Sequence, residues 1–307
     1  MSILVNKDSR VIFQGFTGQH ATFHAQEAIR MGTNVVGGVT PGKGGETHID
    51  RPVFDTVKDA VAETGADVSV VFVPPPFSAD AIMEAIEAGI KVIVVITDGV
   101  PVQDMVRVKR YLIGHDAIII GPNTAGVITP EECKVGIMPA HIYPKGRIGL
   151  VSRSGTLNYE AVEQMSELGL GISTSISIGG DPVNGCDFLT LMKQFADDPE
   201  TDAVLMIGEI GGSQEVDAAT WAKAHMDKPL IGFIAGATAP PGRTMGHAGA
   251  IISGESDTAQ AKMRRLDELG VSVVQNAAEI GQTVLQSVNG RSNERDEAAN
   301  PSCVSSV

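Results

Sequence analysis

The stretch RVIFQGFTGQHATFHAQEAIRMGTNVVGGV, residues 10–39, decides the fold. Its two ends, 10–14 and 34–39, are short β-branched runs, and between them 22–31 carries apolar residues at helical spacing. A strand, a helix and a second strand in so short a span predict two parallel strands joined by a covering helix. The same rhythm continues downstream. Strands are predicted at 67–73, 91–96 and 117–120, and helices at 57–64, 78–88 and 102–113. Buried parallel strands read as continuous apolar runs in this way, because helices cover both faces of their sheet.

The rhythm breaks at 121–146, where Pro122, Pro130, Pro139 and Pro144 stand among glycines. This stretch is expected to pack on the surface as a connection between two units. The alternation then restarts, with strands at 147–152, 172–178, 203–207, 230–234 and 272–274. Helices follow at 157–168, 188–195, 216–225, 259–269 and 280–288. The expected organisation is an α/β unit over 1–122, a connection over 123–146 and a second α/β unit over 147–288. A tail over 289–307, poor in apolar residues, is expected to be disordered. A length of 307 residues fits two such domains, and 35 glycines fit many tight strand-to-helix turns.

Composition removes several function classes. A net charge of −14 argues against a nucleic-acid surface, which needs a basic face, although backbone amides can still hold an anion in an acidic protein. Cys133, Cys186 and Cys303 are odd in number and far apart, which suits a reducing compartment rather than a disulfide framework. They show no metal-ligand spacing. No apolar run approaches the ~20 residues of a membrane span, and no signal or transit pattern opens the chain, so the expected location is the cytoplasm.

Four segments carry chemistry. Gly15-Phe16-Thr17-Gly18-Gln19-His20 closes the first strand and opens a helix, a place where backbone amides can approach a phosphate. The full dinucleotide fingerprint is missing, which weighs against an NAD-dependent oxidoreductase. The segment Gly37–Gly44 resembles a P-loop, but Gly44 replaces the magnesium-binding hydroxyl, leaving Lys43 as a point charge for a ligand phosphate. Arg153-Ser154-Gly155-Thr156 follows the strand RIGLVS and starts a helix, so it serves either as an ordinary cap or as an anion cradle. His247 lies in a glycine-flanked loop rather than on an apolar face. Such a histidine is either an inert loop residue or a nucleophile whose other nitrogen is held by an acceptor. Glu209, at the carboxyl end of the strand leading into IGG, is placed to be that acceptor.

Seven segments taken together, GFTG, VGGVTPGKGG, GPN, VSRSGTLNYEA, IGGDP, MIGEIGG and MGHAGAII, resemble the α subunit of succinyl-CoA synthetase, in that family's order, across about residues 1–288. The resemblance implies an N-terminal Rossmann-like CoA-binding domain followed by a flavodoxin-like ligase domain. It implies that Thr17, Gly18, Gln19, His20, Lys43, Ile96, Thr97 and Asp98 bind CoA. Tyr159 would meet the acyl substrate, Ser154, Gly155 and Thr156 the phosphate, and Glu209 would hold His247, which takes the phosphoryl group. The implied reaction converts succinate, CoA and ATP or GTP reversibly to succinyl-CoA, the nucleoside diphosphate and phosphate, through an acyl phosphate and a phosphohistidine. An ATP-grasp β subunit, in an αβ or α2β2 assembly, would hold the nucleotide and its Mg2+, which agrees with the lack of a sound nucleotide motif here. The sequence departs from the family at Gln19-His20-Ala21, at Asn123-Thr124-Ala125-Gly126 and at Thr97-Asp98-Gly99. The last of these, with VRVKR at 106–110 and GISTS at 171–175, is similar to malate–CoA ligase, the alternative substrate reading. A non-catalytic CoA-binding regulator is the alternative of another class.

Overall fold

The structure is a computed structural model and describes residues 2–299, the side chains of 291–299 excepted. The first unit holds β1 (Val11–Gln14), α1 (Gln19–Arg30), β2 (Val35–Val39), β3 (Thr47–His48) and β4 (Arg51–Phe54). It continues through α2 (Val57–Thr64), β5 (Val68–Val71), α3 (Pro75–Glu87), β6 (Val92–Val95), α4 (Val102–Leu112) and β7 (Ile118–Ile120). Its seven strands lie in the order β3-β4-β2-β1-β5-β6-β7, parallel except for the β3–β4 pair. The chain leaves β1 toward β2 on one side and later returns, through α2, to place β5 on the other. A crevice therefore opens at the carboxyl ends of these strands.

Local chemistry explains the elements. The central strands are Val and Ile runs buried on both faces, VIVV of β6 and VSVV of β5 among them. Thr56 caps α2 by accepting from the Asp59 amide, and Gly65 ends it in the left-handed region. α1 starts at Gln19, three residues before the predicted boundary. The turn before it packs tightly on β2: a β-carbon at Gly38 would fall 2.1 Å from Cγ of the buried Phe16.

The second unit holds β10 (Lys145–Ser152), α5 (Gly155–Glu167), β11 (Ile172–Ser177), α6 (Phe188–Asp197), β12 (Ala203–Glu209) and α7 (Gln214–His225). β13 (Leu230–Ala235), α8 (Ala259–Glu268), β14 (Ser272–Val273) and α9 (Ile280–Ala299) complete it. Strands β10 to β14 are parallel, in the order β14-β13-β12-β10-β11. Phe195 packs on Gly149, where a β-carbon would come within 2.6 Å of its ring. Burying one such phenylalanine contributes roughly 1.5–3 kcal/mol.

Two segments differ from the reading of the sequence. Residues 121–146, expected on the surface as a connection, contain the buried hairpin β8 (Gly126–Thr129) and β9 (Cys133–Gly136). β8 pairs antiparallel with β11, so the hairpin completes a sheet of seven strands. The prolines and glycines that suggested a loop conceal Val127-Ile128 and Val135, and Gly126 and Gly136 allow backbone approaches no other residue fits: a β-carbon on Gly126 would lie 2.1 Å from the Val135 carbonyl oxygen. The hairpin joins both units, through Thr129 Oγ1 to the Val5 carbonyl (2.8 Å) and the Lys134 amide to Thr33 Oγ1 (2.8 Å). At the other end, helix α9 runs on to Ala299, through the first part of the tail expected to lack structure; residues 300–307 lie outside the described residues. No helix among the described residues is long and apolar enough to cross a membrane.

Candidate functional site

All the parallel strands of the second sheet point their carboxyl ends to one side, and four elements deliver side chains there. β12 ends in Glu209, β10 ends in Ser152 and leads into Arg153 and Ser154, and β11 leads into Gly179-Gly180-Asp181. The exposed loop between β13 and α8 carries His247.

His247 Nδ1 lies 2.7 Å from Oε2 of Glu209. A carboxylate only accepts, so Nδ1 carries a ring proton, and in the neutral ring Nε2 keeps its lone pair. Nε2 has no hydrogen-bond partner among the described residues. The bond to Glu209 raises the His247 pKa above the ordinary histidine value. Burial opposes this, the Glu209 and Asp181 charges add to it, and the Arg153 charge works against it. The ring is wedged in place. Gly180 presses on it, and the Gly249 amide donates to the Gly180 carbonyl (3.1 Å).

Glu209 is itself built in. Its amide donates to Glu215 Oε1 (3.3 Å), and its carbonyl accepts from Lys262 Nζ (2.8 Å). Lys262 also donates to the Gly211 carbonyl (2.6 Å) and to Glu215 Oε2 (2.7 Å), with both side chains fully buried. Arg153 completes the cluster, with its guanidinium over the Phe188 ring at 5.8 Å. A buried lysine and carboxylate persist only when paired and hydrogen-bonded, as here.

Ser154 is the cap of α5. Its hydroxyl accepts from the Leu157 amide (3.2 Å) and lies 3.2 Å from Thr156 Oγ1, while Ser152 Oγ accepts from the Ser154 amide (3.0 Å). The Gly155 and Thr156 amides are among the first-turn donors that a helix leaves free for an anion. Tyr159 lies farther along α5, half-buried, with its phenol pKa raised by burial.

In the first unit, the Thr17 amide donates to Thr40 Oγ1 (3.2 Å), and Gly18 caps α1. Gln19 and His20 stand exposed in its first turn. Lys43 rides an exposed loop shaped by Asp55, whose Oδ1 accepts from the amides of Gly42 (2.7 Å) and Gly44 (3.0 Å). Thr97 Oγ1 donates to the Val73 carbonyl (2.7 Å) just past β6. Thr17, Gly18, Lys43, Ile96, Thr97 and Asp98 thus share the carboxyl edge of the first sheet. A cavity of about 600 Å³ opens there, walled by Gly15, Val39, Pro41, Val73 and Phe77. Neither Phe77, which is 62% exposed, nor Asp181 was singled out in the sequence.

Asp181 links the two edges. Its Oδ1 accepts from Asn123 Nδ2 (3.2 Å), and the Asn123 amide donates to the Thr97 carbonyl (2.9 Å). Burial, with the nearby Asp98 charge, holds its carboxyl above the ordinary aspartate range despite the Asn123 bond and the His247 charge. Among the described residues no cluster of three His, Cys, Asp or Glu side chains is arranged to hold a metal.

Comparison with known proteins agrees with this division. Residues 6–99 match the family model of the CoA binding domain, and residues 151–271 that of CoA-ligase. The α subunit of malate–CoA ligase from Methylorubrum extorquens is 57% identical over 288 residues, covering 92% of this chain and 97% of that protein. The α subunit of ADP-forming succinate–CoA ligase from Aquifex aeolicus is 56% identical over 288 residues, covering 93% and 94%. The structure of ATP citrate lyase from Methanothrix soehngenii, in complex with citrate and coenzyme A, superposes with a TM-score of 0.84 at 25% identity over 95% of this chain. This chain spans about half, 52%, of that longer one.

Proposed function

Because the chain belongs to the family of succinate–CoA ligase α subunits, we propose that it binds CoA along the carboxyl edge of its first sheet and carries a phosphoryl group on Nε2 of His247. The observation that carries the reading is the 2.7 Å bond between His247 Nδ1 and Glu209, which leaves the opposite nitrogen as a nucleophile. In the ligation direction, a nucleoside triphosphate phosphorylates His247, and the dicarboxylate takes that group as an acyl phosphate. The CoA sulfur then displaces phosphate. Glu209 stabilises the positive charge that grows on the ring during transfer. The Ser154 hydroxyl and the Gly155 and Thr156 amides receive the phosphate oxygens at the start of α5. Tyr159 faces the acyl group. Thr17, Gly18, Gln19, His20, Lys43, Ile96, Thr97 and Asp98 hold CoA, with the cavity beside Phe77 covering its apolar parts.

The nucleotide, ATP or GTP with Mg2+, belongs to a β subunit of ATP-grasp type, in an αβ or α2β2 enzyme of the cytoplasm. Succinate is the first substrate. Malate is the second reading, favoured by the 57% identical malate–CoA ligase relative and by Ile96-Thr97-Asp98-Gly99. A non-catalytic CoA-binding role would leave the Glu209–His247 pair without a purpose. The test is co-expression with the β partner, with succinate and malate compared as acceptors and His247 followed with γ-labelled nucleotide. Acid-labile label in the wild type and none in His247→Asn is the expected outcome. Unchanged turnover in that variant sinks the reading, and a strong preference for malate changes the substrate alone.

A further inference from the structure

Two buried polar groups face one another beside His247 without a hydrogen bond between them. Oε1 of Glu209 has no hydrogen-bond partner, and neither has Nε of Arg153. The Arg153 NH1 group stands 3.8 Å from that oxygen, and Nε stands 3.5 Å from Oε1 of Glu215. Both Arg153 and Glu209 side chains are only 8% exposed. A buried guanidinium ordinarily closes a fork on one carboxylate with short bonds. Here one positive charge is divided between two carboxylates and seated fully on neither. Glu215 already has a full partner in Lys262, at 2.7 Å. The Phe188 ring lies beneath the guanidinium, 5.8 Å away, and offers it no competing hydrogen-bond acceptor.

We propose that Arg153 is a positioning residue, shared between Glu215 and Glu209, that sets how much negative charge Glu209 presents to His247 and thereby governs the gain and loss of the phosphoryl group. The proposal rests on His247 as the phosphoryl carrier. In that step the Nε2–P bond forms as the P–O bond to the leaving oxygen breaks, the electron pair departs with that oxygen, and the ring proton stays on Nδ1. A fully charged Glu209 favours the loaded ring. Arg153 drawn toward Glu209 weakens that support and favours discharge. The other charges facing the ring are Asp181, with Asp98 beside it, while Lys262 stands behind Glu215.

The test uses the two-chain enzyme and the pH dependence of single-turnover labelling of His247, with Arg153→Met, Arg153→Lys and Glu215→Gln. Removing the Arg153 charge should let Nε2 keep a proton to higher pH, moving the acid limb of labelling up by about half a unit or more. Glu215→Gln frees Arg153 for Glu209 and should move the limb down, while Arg153→Lys restores it in part. Opposite shifts are not expected from mere loosening of the site. Limbs that stay put, or move in one direction in both variants, overturn the proposal while wild-type labelling leaves the His247 reading standing. A wild-type enzyme that never labels overturns that reading and the proposal with it.

Discussion

The imidazole of His247 lies against Gly180 so closely that a β-carbon there would come within 2.2 Å of ring Cγ and 2.4 Å of Nδ1. The glycine is a wall of the site. Gly180→Ala should therefore push the ring off Glu209 and cut phosphoryl labelling by about a hundredfold, because transfer depends on ångström-scale placement. The fold should hold, since His247 sits in a largely exposed loop outside the core. Labelling compared with a thermal melt checks this, and normal labelling in the variant contradicts it.

Glu209→Gln keeps the shape and removes the charge. The His247 pKa, raised in the wild type by Glu209, should fall, moving the acid limb of labelling to lower pH, while the rate at its plateau drops by about a hundredfold or more. The linkage has a definite sign. A raised histidine pKa contributes stability that is fully present below the unfolded value of about 6.5 and is lost as pH rises through the folded value. The melting difference between wild type and variant should be larger at low pH than at high pH. An unchanged difference across that range rejects the assignment.

The Tyr159 phenol is half-buried on α5 and makes no hydrogen bond among the described residues. Tyr159→Phe should raise the KM for the dicarboxylate about tenfold, the cost of one lost hydrogen bond. Labelling of His247 from nucleotide should not change. Loss of labelling instead would move Tyr159 from the acyl site to the phosphate step.

Lys134 is buried at 3% exposure, with one acceptor, the Gly136 carbonyl. Burial pushes its pKa down to about 8, so the folded state resists its charge. Unfolded lysine holds its proton to about 10.4, so this cost fades as pH rises from 8 toward that value. Lys134→Met should leave the melting temperature at pH 7 unchanged or raise it by a few degrees, with less benefit near pH 9.5. A large fall at pH 7 would show that the ammonium is needed for the hairpin.

The β1–α1–β2 unit was legible because β-branched and apolar residues dominate its strands, VIFQ and VVGGV, and its turn carries glycines. That Glu209 could reach His247, 38 residues away, was legible from the rule that open α/β sheets gather chemistry at strand carboxyl ends, while the residues alone left an inert loop histidine open and the family resemblance implied the pair. The β8–β9 hairpin was not legible, because its prolines and glycines outweighed its few β-branched residues. Gly180 stood inside the IGGDP segment, but its part as a wall was not legible, since a missing side chain means something only once the neighbouring ring is placed. Arg153 read as part of a helix cap, and only the fold reveals that its guanidinium turns inward between two acids.

The hairpin has one more consequence. It shares a sheet with β11 while gripping Val5 and Thr33 of the other unit, and Lys109 Nζ reaches across to the Asn184 carbonyl (3.0 Å). Opening the two halves like a clam would tear this seam, so the gap from the Phe77 cavity to the imidazole has a set length. On the reading proposed above, travel across it falls to a long, limber ligand rather than to the scaffold, which makes the reach of a cargo's tether a selection rule in its own right.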